Sequence, residues 1–251
     1  MQPHDPSPVQ GDPPALDDLL AGRRVALFLD VDGTLIALAP TPDSIKVPGD
    51  LAGRLADLGQ RLSGACALIS GRALGDLETY LGRPLPLAAA GSHGADVRGA
   101  AGEALGDTPG APPADLAQAL RDFAAQNGLR YEEKAHGAAL HYRQRPQAEA
   151  AALAFARELA QRFGWQVQTG KCVVELVEGR ADKGTAVRAL MASEPFTNAR
   201  PIFLGDDTTD EAGFAACEAL GGFGVAVGER ESDRARYHLA DVDAVHAWLG
   251  L

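Results

Sequence analysis

Apolar and polar positions follow two regimes along the chain. Val25-Ala26-Leu27-Phe28-Leu29 is an unbroken apolar run without a helical repeat, and it stops at Asp30-Val31-Asp32-Gly33-Thr34-Leu35. Such a run, bounded by polar residues, has the pattern of a parallel strand buried on both faces. Runs at 65–69, 85–90, 201–204 and 224–227 predict further strands of this kind. Between them the period lengthens. Leu51, Leu55, Leu58 and Leu62 fall at i, i+4, i+7 and i+11, on one face of a helix that starts after Pro48-Gly49-Asp50. Helices are also predicted at 74–81, 183–191, 210–220 and 241–249, and a short one opens on Leu16, Leu19 and Leu20. Strands alternating with helices wind a parallel sheet.

The grammar changes in the middle. A Gly/Pro/Ala-rich link at 99–113 leads to a helix at 114–127 and two alternating strands, 130–134 and 138–143. A helix at 147–163 and strands at 165–169 and 171–177 repeat that order. The succession αββαββ reads as a separate α+β module inserted into an α/β core. The expected division is a disordered tail at 1–15, core at 16–98, inserted module at 99–178 and core again at 179–251. Residues 36–47, broken by Pro40 and Pro42, read as a surface flap. Hinges are expected near 94–102 and 177–181. Beyond the two αββ halves no internal repeat stands out.

Composition narrows the function classes. At 251 residues, with 46% apolar residues, 29 glycines and 16 prolines, the chain suits a loop-rich core plus a second module. Its formal charge of -11 gives no long-range attraction for nucleic acid or an anionic membrane. The same charge repels a phosphate, so a phosphate site needs a local cation. Cys66, Cys172 and Cys217 share no metal-like spacing and read as small hydrophobes in a reducing compartment. The N-terminus lacks a basic and apolar signal, and no apolar run approaches the roughly 18–20 residues of a membrane span. A soluble cytoplasmic protein with no obligatory protein partner is expected.

Polar groups cluster where strands end or helices start: Asp30 and Asp32, Ser70, Lys183, and Gly205-Asp206-Asp207-Thr208-Thr209-Asp210-Glu211. Each alone has a structural alternative. Ser70 could cap a helix, Asp182-Lys183-Gly184 could be a turn, and the acidic run could serve a helix dipole. Together they sit at the strand ends of an open α/β sheet, where ligands bind.

In order and type these segments resemble the four motifs of the haloacid dehalogenase-like (HAD) phosphatases: DxDGT, a strand-terminal Ser, a Lys at a helix start, and GDDxTD. The resemblance covers the whole chain. It implies an α/β fold with a HAD-like Rossmannoid parallel-sheet core and an inserted α+β cap. It also implies Asp30 as nucleophile and Asp32 as general acid, then base. Ser70 and Lys183 would hold the phosphoryl oxygens. One Mg²⁺ would be bound by Asp30, the Asp32 carbonyl and Asp206, with Asp207 and Asp210 as assisting ligands, although Asp210 could equally position Lys183.

Three strings narrow the substrate. Gly91-Ser92-His93-Gly94-Ala95-Asp96 resembles the GxHGxE string of the trehalose-6-phosphate phosphatases, with Asp96 where Glu is usual. Lys134 with Leu140-His141-Tyr142-Arg143, and Gly170-Lys171-Cys172-Val173-Val174-Glu175, resemble that family's K…HYR and GKxVVE strings. The resemblance implies a small-molecule sugar phosphate as the partner, contacted by His93, Asp96, Lys134, His141, Arg143, Lys171 and Glu175. His141 could instead pack within the cap, and Arg143 could be a surface charge. Arg72 after Ser70-Gly71 either approaches the phosphate or makes a salt bridge. The remaining histidines, His4, His136, His238 and His246, are assigned no role. The alternatives are a phosphatase for sucrose or mannosylglycerate phosphate, a phosphomannomutase, and a sugar-phosphate sensor without turnover.

Overall fold

The computed structural model describes residues 11–38, 47–106, 110–134, 136–170, 172–178 and 181–251. The sequence expectations for the tail up to residue 10, the flap at 39–46, Lys171 and residues 179–180 of the second hinge lie outside these residues. The first core segment contains α1 (Leu16–Gly22), β1 (Val25–Leu29), α2 (Leu51–Arg61), β2 (Cys66–Ile69), α3 (Leu74–Leu81), β3 (Ala88–Gly91) and β4 (Asp96–Arg98). The middle of the chain forms α4 (Ala114–Asn127), β5 (Arg130–Lys134), β6 (Gly137–His141), α5 (Glu149–Phe163), β7 (Trp165–Gly170) and β8 (Val173–Glu178). The chain then returns through α6 (Lys183–Met191), β9 (Arg200–Gly205), α7 (Glu211–Ala219), β10 (Phe223–Val227), β11 (Tyr237–Leu239) and α8 (Val242–Leu249).

One sheet has seven strands in the order β11-β10-β9-β1-β2-β3-β4. All its pairings are parallel except β3 with β4. Winding runs outward from β1 to β4, and the returning chain starts again on the other side of β1, at β9. The carboxyl ends of β1 and β9 therefore flank the point where strand order reverses, which is where a crevice opens in a doubly wound sheet.

Both faces of this sheet are covered, as the unbroken apolar runs require. Val25, Leu27 and Leu29 pack with Leu51, Leu55 and Leu58 of α2 and with Val245 and Leu249 of α8. Ala26 and Phe28 pack on the opposite face with Val187 and Leu190 of α6 and Phe214 of α7. Each fully buried leucine of the α2 stripe contributes about 1.5–3 kcal/mol.

The second sheet is antiparallel throughout, in the order β5-β6-β8-β7. Alternation along its strands separates two faces. Ala138, Leu140, Val174 and Leu176 pack against Leu116 and Leu120 of α4 and Leu159 of α5. The other face carries Glu132, Ala139, Glu175 and Gln168 in one row across the sheet.

Two short strands differ from the sequence expectation. The segment expected as the first hinge contains β4, which closes the sheet edge on β3. Likewise β11 pairs with β10 as three residues at the other edge. Both are too short for a period to show. The third strand begins at Ala88 rather than residue 85, because Pro86 lacks the donor a ladder needs. Among the described residues no helix is long and apolar enough to cross a membrane.

Candidate active site

Asp30 leaves the end of β1 with its amide still bonded to the Leu204 carbonyl of β9 (3.0 Å), so its backbone belongs to the sheet. The chain then turns back sharply. Gly33 N–H donates to the Ile36 carbonyl at 2.7 Å, and Gly33 itself has φ +88°. A Cβ at Gly33 would lie 2.1 Å from Asp206 Oδ2. Only a glycine lets this loop adopt its conformation and admit the Asp206 carboxylate.

Lys183 opens α6. Its position is set by a capping box in which Thr185 N–H donates to Asp182 Oδ1 (2.6 Å) and Asp182 N–H to Thr185 Oγ1 (2.9 Å). The Lys183 side chain is 3% exposed, and Nζ donates to Asp30 Oδ1 (2.7 Å) and Asp210 Oδ1 (2.5 Å). The other Asp210 oxygen accepts the Asp207 amide at 2.9 Å. Asp210 is fully buried and both its oxygens are engaged. Asp30, Asp206 and Asp210 each offer an oxygen, and these atoms lie within 4.8 Å of one another.

Three carboxylates around one ammonium leave excess negative charge. Burial raises the Asp30 pKa well above the usual range; Lys183 opposes this, and Asp210 and Asp206 reinforce it. Burial, with Asp210 nearby, pushes Asp206 up to about 6. Burial works against the Lys183 ammonium, but Asp210 and Asp30 outweigh it and raise its pKa. The residues fit a divalent cation. The charge excess is one indication; the other is Asp206 Oδ1, which is buried without a hydrogen-bond partner.

Asp32 is gripped by Arg72, whose Nε donates to Oδ2 (2.6 Å) and Nη2 to Oδ1 (2.7 Å). The guanidinium also lies over the Tyr80 ring, 5.1 Å from its centroid. Arg72 thus makes the salt bridge, one of its two sequence readings. Ser70 is buried at the end of β2, and its Oγ accepts the Arg72 amide at 3.1 Å, which leaves the hydroxyl proton free to donate.

The polar face of the second sheet meets the core here. Lys134 Nζ donates to Glu175 Oε2 (2.7 Å), and His93 Nε2, from the turn after β3, lies 3.4 Å from the same oxygen. Burial raises the Glu175 pKa, but His93 and Lys134 outweigh it, so the carboxyl stays below its ordinary range. Glu175 Oε1 is buried and unpartnered. A cavity of about 320 Å³ is lined by His93, Gln168, Lys183, Thr208 and Thr209. A larger cleft of about 390 Å³, lined by Arg230, Arg236 and His238, touches none of the three carboxylates.

The other expected residues have the following surroundings. Asp207 does not join the carboxylate group, because its Oδ1 caps the next turn through Thr208 N–H (2.7 Å). Asp96 accepts a hydrogen bond from Arg98 Nε (3.0 Å), and His136 Nε2 lies 3.5 Å away. His136, given no role from sequence, thus reaches a core carboxylate from the cap. His141 pairs with Glu132 (2.6 Å), and in the ladder it sits opposite Arg130, four positions along β6 from Gly137, which faces Lys134. Arg143 is exposed just beyond β6. Sequence reasoning missed Glu132, in the row with Glu175, and Arg230, whose Nε donates to the Asp206 carbonyl at 3.2 Å. Neither lies in a legible motif.

A parallel sheet with buried carboxylates at its reversal point, closed by an antiparallel cap, defines a capped HAD-fold phosphatase. The C-terminal domain of Candida albicans trehalose-6-phosphate phosphatase has this fold, with a TM-score of 0.77 at 22% identity over 95% of this chain and 98% of that one. A HAD-superfamily phosphatase from Bacteroides thetaiotaomicron matches with a TM-score of 0.63 at 16% identity, over 91% and 94% of the two chains. The trehalose-phosphatase family model matches residues 28–243, and the chain belongs to that family. It is 40% identical over 229 residues to the trehalose-6-phosphate phosphatase of Escherichia coli, covering 90% of this chain and 85% of that protein. It is 39% identical over 209 residues to a probable trehalose-phosphate phosphatase of Sinorhizobium fredii, covering 81% and 77%.

Proposed function

We propose that this chain hydrolyses trehalose 6-phosphate to trehalose and phosphate through a phosphoenzyme on Asp30. The observation that carries this reading is the join between two sets of groups. His93, on the core side, lies 3.4 Å from the cap carboxylate Glu175, which pairs with Lys134, and it also lines the cavity that Lys183 borders. A phosphate monoester reaches one end of that arrangement, and uncharged sugar hydroxyls meet hydrogen-bonding groups at the other.

In the first displacement an Asp30 oxygen bonds to phosphorus and the bond from phosphorus to the sugar oxygen breaks. Asp32 gives its proton to that leaving oxygen. In the second, Asp32 takes a proton from water, the water oxygen bonds to phosphorus, and the Asp30–phosphorus bond breaks. Without substrate, Arg72 pairs with Asp32 through two hydrogen bonds. A phosphate dianion competes for that guanidinium and frees Asp32 to face the leaving oxygen. Ser70 and Lys183 orient the phosphoryl oxygens. The Asp30 and Asp206 carboxylates and the Asp32 carbonyl would hold one Mg²⁺, which when bound neutralises the repulsion between nucleophile and phosphate. Asp210 keeps Lys183 charged and in place.

Residues 99–178 act as the substrate-selecting cap between core segments 16–98 and 179–251. The acidic charge and three free cysteines support work on a small molecule in the cytoplasm, without nucleic acid, membrane or an obligatory protein partner.

The test is phosphate release from trehalose 6-phosphate, sucrose 6-phosphate, glucose 6-phosphate and mannose 6-phosphate, with Mg²⁺ and with EDTA. Strong preference for trehalose 6-phosphate, lost in EDTA, is expected. Equal rates on all four would remove the specificity reading. No release from any would remove the phosphatase reading.

A further inference from the structure

Arg230 reaches the acidic site from the segment between β10 and β11. Its Nε donates to the Asp206 carbonyl (3.2 Å) and its Nη2 to the Asp207 carbonyl (3.1 Å). Nη2 also lies 2.7 Å from Glu211 Oε1 at the start of α7, and Nη1 donates to the Glu231 carbonyl (2.9 Å). One planar fork therefore ties the loop after β9 to the helix that follows it and to Arg230's own segment.

The Asp206 side chain needs such a hold. Asp207 and Asp210 are anchored through their own side chains, by Thr208 N–H and by Lys183 and the Asp207 amide. Asp206 Oδ1 is buried without a partner. Its direction follows from its backbone and from the gap left by Gly33.

A cation beside a metal site has two opposite effects. Its charge repels the metal, whereas its hydrogen bonds fix the ligand before the metal arrives. Here Glu211 offsets the charge at 2.7 Å, so ordering outweighs repulsion. Mg²⁺ demands near-octahedral geometry, which makes ligand placement decisive.

We propose that Arg230 is a positioning residue for Asp206: its grip on the Asp206 and Asp207 carbonyls sets the Asp206 carboxylate for the divalent cation. This rests on Asp206 being a metal ligand, as read above.

The test uses the full chain and its Arg230→Gln, Arg230→Lys and Asp206→Asn variants. Mg²⁺ binding is measured by calorimetry without substrate, and turnover of trehalose 6-phosphate is measured across a Mg²⁺ titration. Both Arg230 variants should bind Mg²⁺ about 10-fold more weakly, at the lower end of what outer partners of metal ligands contribute. Lysine should not rescue, because one ammonium cannot span two carbonyls as a fork does. Turnover should climb back towards the parental value as Mg²⁺ saturates, with the KM for trehalose 6-phosphate unmoved. Unchanged or tighter Mg²⁺ binding in Arg230→Gln, rescue by lysine, or a turnover loss that saturating Mg²⁺ leaves in place would each overturn the proposal. Unchanged Mg²⁺ binding in Asp206→Asn would instead overturn the metal reading beneath it.

Discussion

Replacing Gly33 with alanine separates the strain in this site from its chemistry. Two effects act at that position. An L-residue at φ +88° costs about 1–2 kcal/mol. For a chain of this size that corresponds to a fall of roughly 2–8 °C in Tm. The second effect is steric. Bringing the 2.1 Å contact with Asp206 Oδ2 out to a tolerable 3.0 Å moves the carboxylate by about 0.9 Å. Metal distances tolerate only about 0.2 Å, and a misplacement near 1 Å in a catalytic arrangement can cost about 10²-fold. Gly33→Ala should therefore lose about 10²-fold in turnover at moderate Mg²⁺ and need more Mg²⁺ for half-saturation. Gly221→Ala is the control. Gly221 has φ +80° but nothing within 4 Å of an added Cβ, so it should lose stability alone. The assays are phosphate release across a Mg²⁺ series and thermal unfolding of the substrate-free protein. Normal turnover with a normal Mg²⁺ requirement in Gly33→Ala would refute the reasoning, because the loop would then be accommodating the methyl group without moving Asp206.

Three other outcomes follow from the same geometry. Asp32→Asn should release one equivalent of phenol per site from an aryl phosphate and then stall, since that leaving group needs no proton but the attacking water still needs a base; steady multiple turnover in a rapid-quench experiment would count against the assignment. Glu175→Gln should lower kcat/KM for trehalose 6-phosphate by about 10–100-fold, the scale of hydrogen bonds to charged groups, and leave an aryl phosphate little changed; equal losses on both substrates would make Glu175 structural. Asp206 is raised to about 6, so below that pH Mg²⁺ must displace a proton, and the Mg²⁺ midpoint in thermal-shift titrations should rise as pH falls from about 7 to 5. In the metal-free protein the sign is opposite: the native state binds more protons than the unfolded chain between 3.8 and about 6, so this group's contribution to stability falls as pH rises through that window. A Mg²⁺ midpoint that does not move with pH would remove Asp206 from the site.

Much of this protein is decided within short stretches. The apolar run of β1 and the leucine stripe of α2 declare a two-sided sheet core, because period and burial are local properties of the sequence. Asp30, Ser70, Lys183 and Asp206 are legible for a related reason: each sits where a strand ends or a helix begins, where an open α/β sheet binds its ligands. What the sequence could not decide depends on which strand lies beside which. Reversal of strand order at β1 brings Asp206 to Asp30, 176 positions apart, and Lys183 between Asp30 and Asp210. Antiparallel register across β5, β6 and β8 brings Lys134 to Glu175. Arg72 is committed to Asp32, Asp96 is drawn to Arg98 and His136, and Arg230 reaches the carbonyls of the loop after β9. No period or spacing foretells these pairings. A side chain's partner is chosen by the packing of elements remote in sequence, so local pattern determined the elements and the reactive groups, and tertiary structure determined which of those groups face one another.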